Sequence, residues 1–147
     1  MALILETENF RIFAPEKPHV DREDGGHIKI EPIVPVEDRT KLSPALAKEL
    51  MKLTMVTGEA MTIALRNRGI DIGRINYQDM GNWNPTLHVL LYGRARSAKV
   101  QKFGEAVSLP LRTTGFYDRF QPLNEEDCAA IRTEMERLLA TEKYRTF

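Results

Sequence analysis

The chain has 147 residues, 42% of them apolar and 29% charged, the balance of an ordinary globular sequence. Its 21 basic and 21 acidic side chains cancel to zero formal charge, which argues against whole-surface affinity for nucleic acid or anionic membrane but leaves room for a local anion pocket. The single cysteine, Cys128, cannot form an internal bridge, and no apolar run reaches bilayer length. The run Met1–Glu6 lacks a basic leader and is too short for a signal peptide. One cytoplasmic domain over residues 1–147, with no nucleic-acid or membrane partner, is therefore expected.

In chain order, Phe10-Arg11-Ile12-Phe13 alternates and predicts a short strand stopped by Pro15. Residues 15–26 are rich in Pro, Gly and charge and predict a loop, in which His19 is expected to be solvated. Gly25-Gly26 then allows a tight turn into a strand over His27–Glu31, with Ile28 and Ile30 on one face and His27 and Lys29 on the other. Ser43 is a good N-cap and Pro44 suits the first helical position. From there Leu46, Leu50, Leu53, Thr57, Ala60, Met61, Ala64 and Leu65 recur at helical spacing as far as about Arg68, with Gly69 as the stop. That stripe predicts a long helix with one face on a sheet.

Strand character returns from Ile70 to Gln78 and leads into the turn-prone segment 79–85. The next strand, Thr86-Leu87-His88-Val89-Leu90-Leu91-Tyr92, should pair antiparallel with it. Residues two apart share a strand face, so Leu87, Val89 and Leu91 are candidate core while Thr86, His88, Leu90 and Tyr92 point the other way. Arg96 to Lys102 is basic, irregular chain follows through Pro122, and Asn124 caps a last helix whose first turn holds Glu125, Glu126 and Asp127. Ile131, Met135, Leu138 and Leu139 give that helix its apolar face, and Cys128 falls in it as an inert, partly buried residue. The fold class is α+β: an antiparallel sheet with one long helix packed on it and a C-terminal helix.

Gly26-His27-Ile28-Lys29-Ile30-Glu31-Pro32, the long helix, and the His88 strand ending at Gly93-Arg94 together resemble the histidine triad family of nucleotide hydrolases and transferases. In that family a Gly-His-apolar-x-apolar-x-Pro strand precedes the helix, and a later strand carries three alternating histidines before an arginine. The resemblance runs from about Phe10 to Arg94. Aligned on Arg94, the three triad positions fall at Thr86, His88 and Leu90, and only the middle one, the family's nucleophile, is histidine. The resemblance implies that His88 attacks the α-phosphorus of a purine nucleotide ester and forms a nucleotidyl-histidine that water hydrolyses. It also implies that the Thr86 carbonyl fixes the His88 tautomer and that His27 lines the same pocket. An amide from Asn76 or Gln78 would contact phosphate or leaving group, Arg94 would screen phosphate charge, and the chain would form a homodimer.

Leu90 supplies neither donor nor charge at a position where the family has histidine, which points to a more apolar and less active pocket. The Thr86 hydroxyl can still donate one hydrogen bond. Three functions stay open: a hydrolase or nucleotidyl transferase acting on a purine nucleoside phosphoramidate, dinucleoside polyphosphate or similar ester; a nucleotide-binding protein with weak or lost chemistry; and an interaction dimer on the same fold. His19, His27 and His88 include no close ligand pair, so no metal site and no resident cofactor is expected. The one cation this reading allows is a divalent ion accompanying a polyphosphate substrate.

Overall fold

The strand expected from Thr86 begins only at Val89, just after His88, and it lies in the interior of a sheet, which is why its two faces differ so sharply. In the computed structural model, which describes residues 1–147, β1 (Ala2–Glu6), β2 (Phe10–Ala14), β3 (His27–Pro32), β4 (Ile72–Gln78) and β5 (Val89–Ala95) form one sheet in the order β1-β2-β3-β5-β4. Every neighbouring pair is antiparallel. Two helices, α1 (Pro44–Asn67) and α2 (Glu125–Leu139), share a core with this sheet, and a one-turn helix, α3 (Glu142–Arg145), ends the chain. This is the α+β architecture expected from the periodicity.

β1 is an element the sequence reading did not include. Ala2-Leu3-Ile4-Leu5 is continuously apolar and has no alternation to read. Only pairing with β2, Ala2 opposite Ala14 and Leu3 opposite Phe13, buries Ile4 and leaves Leu3 exposed. The strand expected from Ile70 begins at Ile72, because Ile70 still belongs to the end of α1. Gly69 adopts a positive φ, its N–H donates to the Arg66 carbonyl, and the Ile70 N–H donates to the Leu65 carbonyl. That pair of bonds is a Schellman stop, which satisfies carbonyls the helix would leave bare.

The helix starts are built as the residue types suggest. Ser43 Oγ accepts from the Leu46 N–H, and Asn124 and Asp127 form a reciprocal capping box. Asp127 is fully buried and also accepts from Arg22 and Arg68, tying α2 to the end of α1 and to the loop before β3. Ile28, Ile30, Val89 and Leu91 pack with Leu53, Val56 and Met61 of α1 in the main core. On the opposite face, Leu90 and Tyr92 pack with Val20 in a small second cluster.

Loops cover that second face. The buried Asp24 carboxylate accepts the backbone N–H groups of Lys99, Val100 and Gln101 at 2.8–3.0 Å. The Gln101 amide then donates to the carbonyls of His19 and Ser108 and accepts from the Ser108 N–H, each at 2.9 Å. These bonds hold an otherwise irregular segment against the loop before β3. Gly25 and Gly93 cross so closely that a Cβ on either would overlap the other's carbonyl, so the turn into β3 can sit on β5 only with glycine at both positions. No helix is long and apolar enough to cross a membrane.

Candidate active site

Under these loops, on the face away from α1, lies a cavity of about 430 Å³. Its floor is the outward set of the two central strands: His27 and Lys29 of β3, Leu90 of β5, and His88 immediately before β5. The 80–84 loop with Trp83, and Lys17, His19, Leu109 and Arg112, line the rest of it, the Trp83 ring meeting His19 edge-on with centroids 5.7 Å apart. Lys17, Lys29, Arg112 and three histidines are among the 14 lining residues, and no carboxylate is. The cavity is therefore suited to an anion.

The backbone fixes the tautomer of His88. Its Nδ1 lies 2.7 Å from the Thr86 carbonyl oxygen, which can only accept, so Nδ1 carries the proton. In the neutral ring Nε2 then holds the lone pair. The residue is 8% exposed and lines both this cavity and a neighbouring one that contains Glu37, Asp38 and Asp79. The Thr86 hydroxyl is committed elsewhere, donating to Asn84 Oδ1 at 2.9 Å.

His27 has the opposite tautomer. Its Nδ1 accepts the His19 backbone N–H at 3.1 Å, so the proton of the neutral ring is on Nε2. Burial, helped by the nearby His19, Lys29 and Arg112 charges, holds its pKa well below the ordinary imidazole range. Nε2 is buried and has no partner in the protein.

His19, expected in solvent, is 7% exposed. The Pro- and charge-rich loop that carries it is drawn inward by the Gln101 bond to its carbonyl. Its ring stacks on His27 with centroids 4.8 Å apart, and its Nδ1 is 2.7 Å from the Tyr92 hydroxyl. Burial, with Arg112, His88 and Lys29 nearby, lowers its pKa to about 4, and burial raises the Tyr92 phenol.

His88 and His27 are brought to one cavity, and Thr86 meets His88 through its carbonyl. Asn76, Gln78 and Arg94 are not in the cavity lining. Asn76 and Gln78 stand opposite Tyr92 and Leu90 on β5, so both face the cavity side of the sheet. Arg94 is buried, donates to Asn76 Oδ1 at 2.7 Å, and donates to the carbonyls of Lys102 and Glu105. It braces the 102–105 segment, and that bracing engages Asn76. Gln78 Oε1 is buried without a partner. Trp83, Lys29, Lys17 and Arg112 line the cavity without having been singled out as site residues. Of these only Trp83 had a local signal, as the sole tryptophan in a Gly/Asn/Pro turn. No three His, Cys, Asp or Glu side chains converge as a metal ion would require.

The fold is that of solved histidine triad proteins. It is similar to a histidine triad protein from Marinobacter aquaeolei VT8, at 16% identity and TM-score 0.63 over 93% of this chain and 87% of that one. It is also similar to a hypothetical histidine triad nucleotide-binding protein from Sulfolobus tokodaii strain 7, at 15% identity and TM-score 0.62 over 93% and 85%. A uridylyltransferase mutant matches at 16% identity and TM-score 0.57 over 94% of this chain but 44% of its own length. No family model and no curated protein sequence matches the chain.

Proposed function

We propose that the protein binds a purine nucleotide or nucleotide ester in this cavity and transfers the nucleotidyl group through His88. The observation that carries the reading is the 2.7 Å contact between His88 Nδ1 and the Thr86 carbonyl, at the edge of a cavity free of carboxylates. The His88 Nε2 lone pair forms a bond to the α-phosphorus as the bond to the leaving group breaks. The leaving group keeps that electron pair and takes a proton from solvent. The imidazole gains positive charge as it attacks, and the Thr86 carbonyl stabilises that charge through Nδ1–H. Water then attacks phosphorus, the P–N bond returns its pair to Nε2, and the water's proton leaves to solvent. Splitting one displacement into two easier steps is the benefit of the covalent intermediate.

Trp83 is half exposed at the cavity wall and supplies a flat surface for the base. Gln78, whose Oε1 is unpaired beside Leu90, is the better of the two amides for the leaving group, since Asn76 is held by Arg94. A substrate with several phosphates brings its own divalent cation. On the other side of the molecule, Met51 and Tyr77 are exposed in an apolar groove between α1 and β4, an edge strand of the sheet. That groove supports a homodimer.

A nucleotide-binding protein with weak chemistry is the second reading, and Leu90 favours it. Leucine itself offers the phosphate no donor at that position. Calorimetry with AMP and GMP, followed by hydrolysis of adenosine phosphoramidate, separates the readings. Binding with turnover supports the enzyme, binding without turnover supports the second reading, and no binding of either nucleotide overturns both.

A further inference from the structure

His27 ends its hydrogen bonding with an unused donor. Nδ1 is taken by the His19 N–H, so Nε2–H is a buried donor with no acceptor in the protein, in a side chain 97% removed from solvent by its 3% exposure. Leaving a buried donor unpaired is unfavourable. A bound ligand can remove that cost. His27 pairs with Tyr92, whose Cα lies four residues, or about 13 Å at the ordinary strand rise, along the chain from that of His88. That backbone spacing leaves room for two phosphate groups side by side. Between the two histidines stands Lys29, opposite Leu90, and Lys17 and Arg112 complete the wall.

These cations are only partly neutralised. Lys29 has one acidic neighbour, Glu31 at 3.4 Å, and Arg112 donates to the Lys17 carbonyl at 3.0 Å while stacking on Tyr117. The lowered pKa values of His19 and His27 come first from burial, with the nearby Arg112 and Lys29 charges adding to it.

We infer that the His27 side of the cavity, formed by His27 Nε2–H with Lys29, Lys17 and Arg112, is a second anion subsite that takes a phosphate group other than the one His88 attacks. The inference rests on the nucleotide reading and narrows it to nucleotides carrying at least two phosphates.

The test is calorimetry with AMP, ADP and adenosine 3′,5′-bisphosphate on the wild-type protein and on the Lys29→Gln/Arg112→Gln double variant. Both replaced side chains reach solvent, and thermal melting checks that the variant is folded. At least one doubly phosphorylated nucleotide should bind wild type tenfold or more tightly than AMP does. In the variant that ratio should fall to within about threefold. Equal affinities in wild type, or an unchanged ratio in the variant, overturn the second subsite and leave the nucleotide reading standing. Failure of all three nucleotides to bind overturns both. Nitrogen-15 NMR of the imidazoles gives an independent readout. The His27 Nε2–H signal should shift with the doubly phosphorylated ligand and not with AMP, and an unmoved signal would remove His27 from the subsite.

Discussion

β3 and β5 carry two sets of alternate side chains with opposite fates. Ile28, Ile30, Val89 and Leu91 enter the core against α1, whereas His27, Lys29, His88 and Leu90, each one residue away, floor the cavity. The backbone is shared and the hydrogen-bond ladder is the same, so the division comes from what each face meets. The first face meets a helix whose buried side is Leu, Val, Ala and Met. The second meets loops held by Asp24 and Gln101, which leave space and positive charge. Changes on the first face should therefore alter stability, and changes on the second should alter binding and rate.

The sharpest break between the faces is expected at His88. His88→Ala should lower turnover of adenosine phosphoramidate on the order of a thousandfold or more, as loss of a nucleophile does elsewhere. Its AMP affinity should stay within a few-fold by calorimetry, because base and remaining phosphate contacts supply most ground-state binding. Near-wild-type turnover would exclude the covalent route.

Neighbouring leucines test the same contrast in stability. Leu91→Ala opens a hole in a fully dry site and should cost about 2–5 kcal/mol in denaturant unfolding. Leu90→Ala only enlarges a cavity that is already there and should cost less than about 2 kcal/mol. Equal losses would mean that Leu90 is core in the same sense as Leu91.

Acid should act through the cavity face. His19 has a folded pKa near 4 against an ordinary value of 6.5, and that of His27 is lowered as well, so between these values the unfolded chain binds more protons than the folded one. The His19 contribution to stability is full above about pH 6.5 and is lost as pH falls toward 4, by up to about 3 kcal/mol, and the His27 contribution is lost in the same direction. His19→Phe should flatten that limb of a melting-temperature profile, and an unchanged limb would place the acid sensitivity elsewhere.

The smallest expected effect is a gain. Leu90→His restores a donor beside the phosphate and should raise turnover by roughly ten- to a hundredfold, part of what one such donor is worth elsewhere. An unchanged rate in a folded variant would favour the binding-only reading.

The division between the faces was legible in the sequence because period-two alternation is a local property. Ser43 and Asn124 were legible as caps for the same reason. Local pattern could not show β1, whose residues are apolar on both faces until β2 pairs with them. Nor could it place His19, which is buried through a carbonyl bond to Gln101, 82 residues away. The role of Asp24 likewise depends on three N–H groups more than seventy residues downstream. Asn76 and Gln78 were equivalent by alternation. Only the Arg94 contact separates them, and that contact, with the Arg94 bonds to the 102–105 carbonyls, joins residues far apart in the chain.

The most direct measurement is intact-protein and peptide mass spectrometry after mixing with adenosine phosphoramidate and quenching in alkali, which preserves a P–N bond. One adenylyl group should appear on the peptide containing His88, formed and lost at rates matching turnover and absent from His88→Ala. Turnover with no adduct at any time, or an adduct on His19 or His27 in its place, would contradict the covalent route through His88.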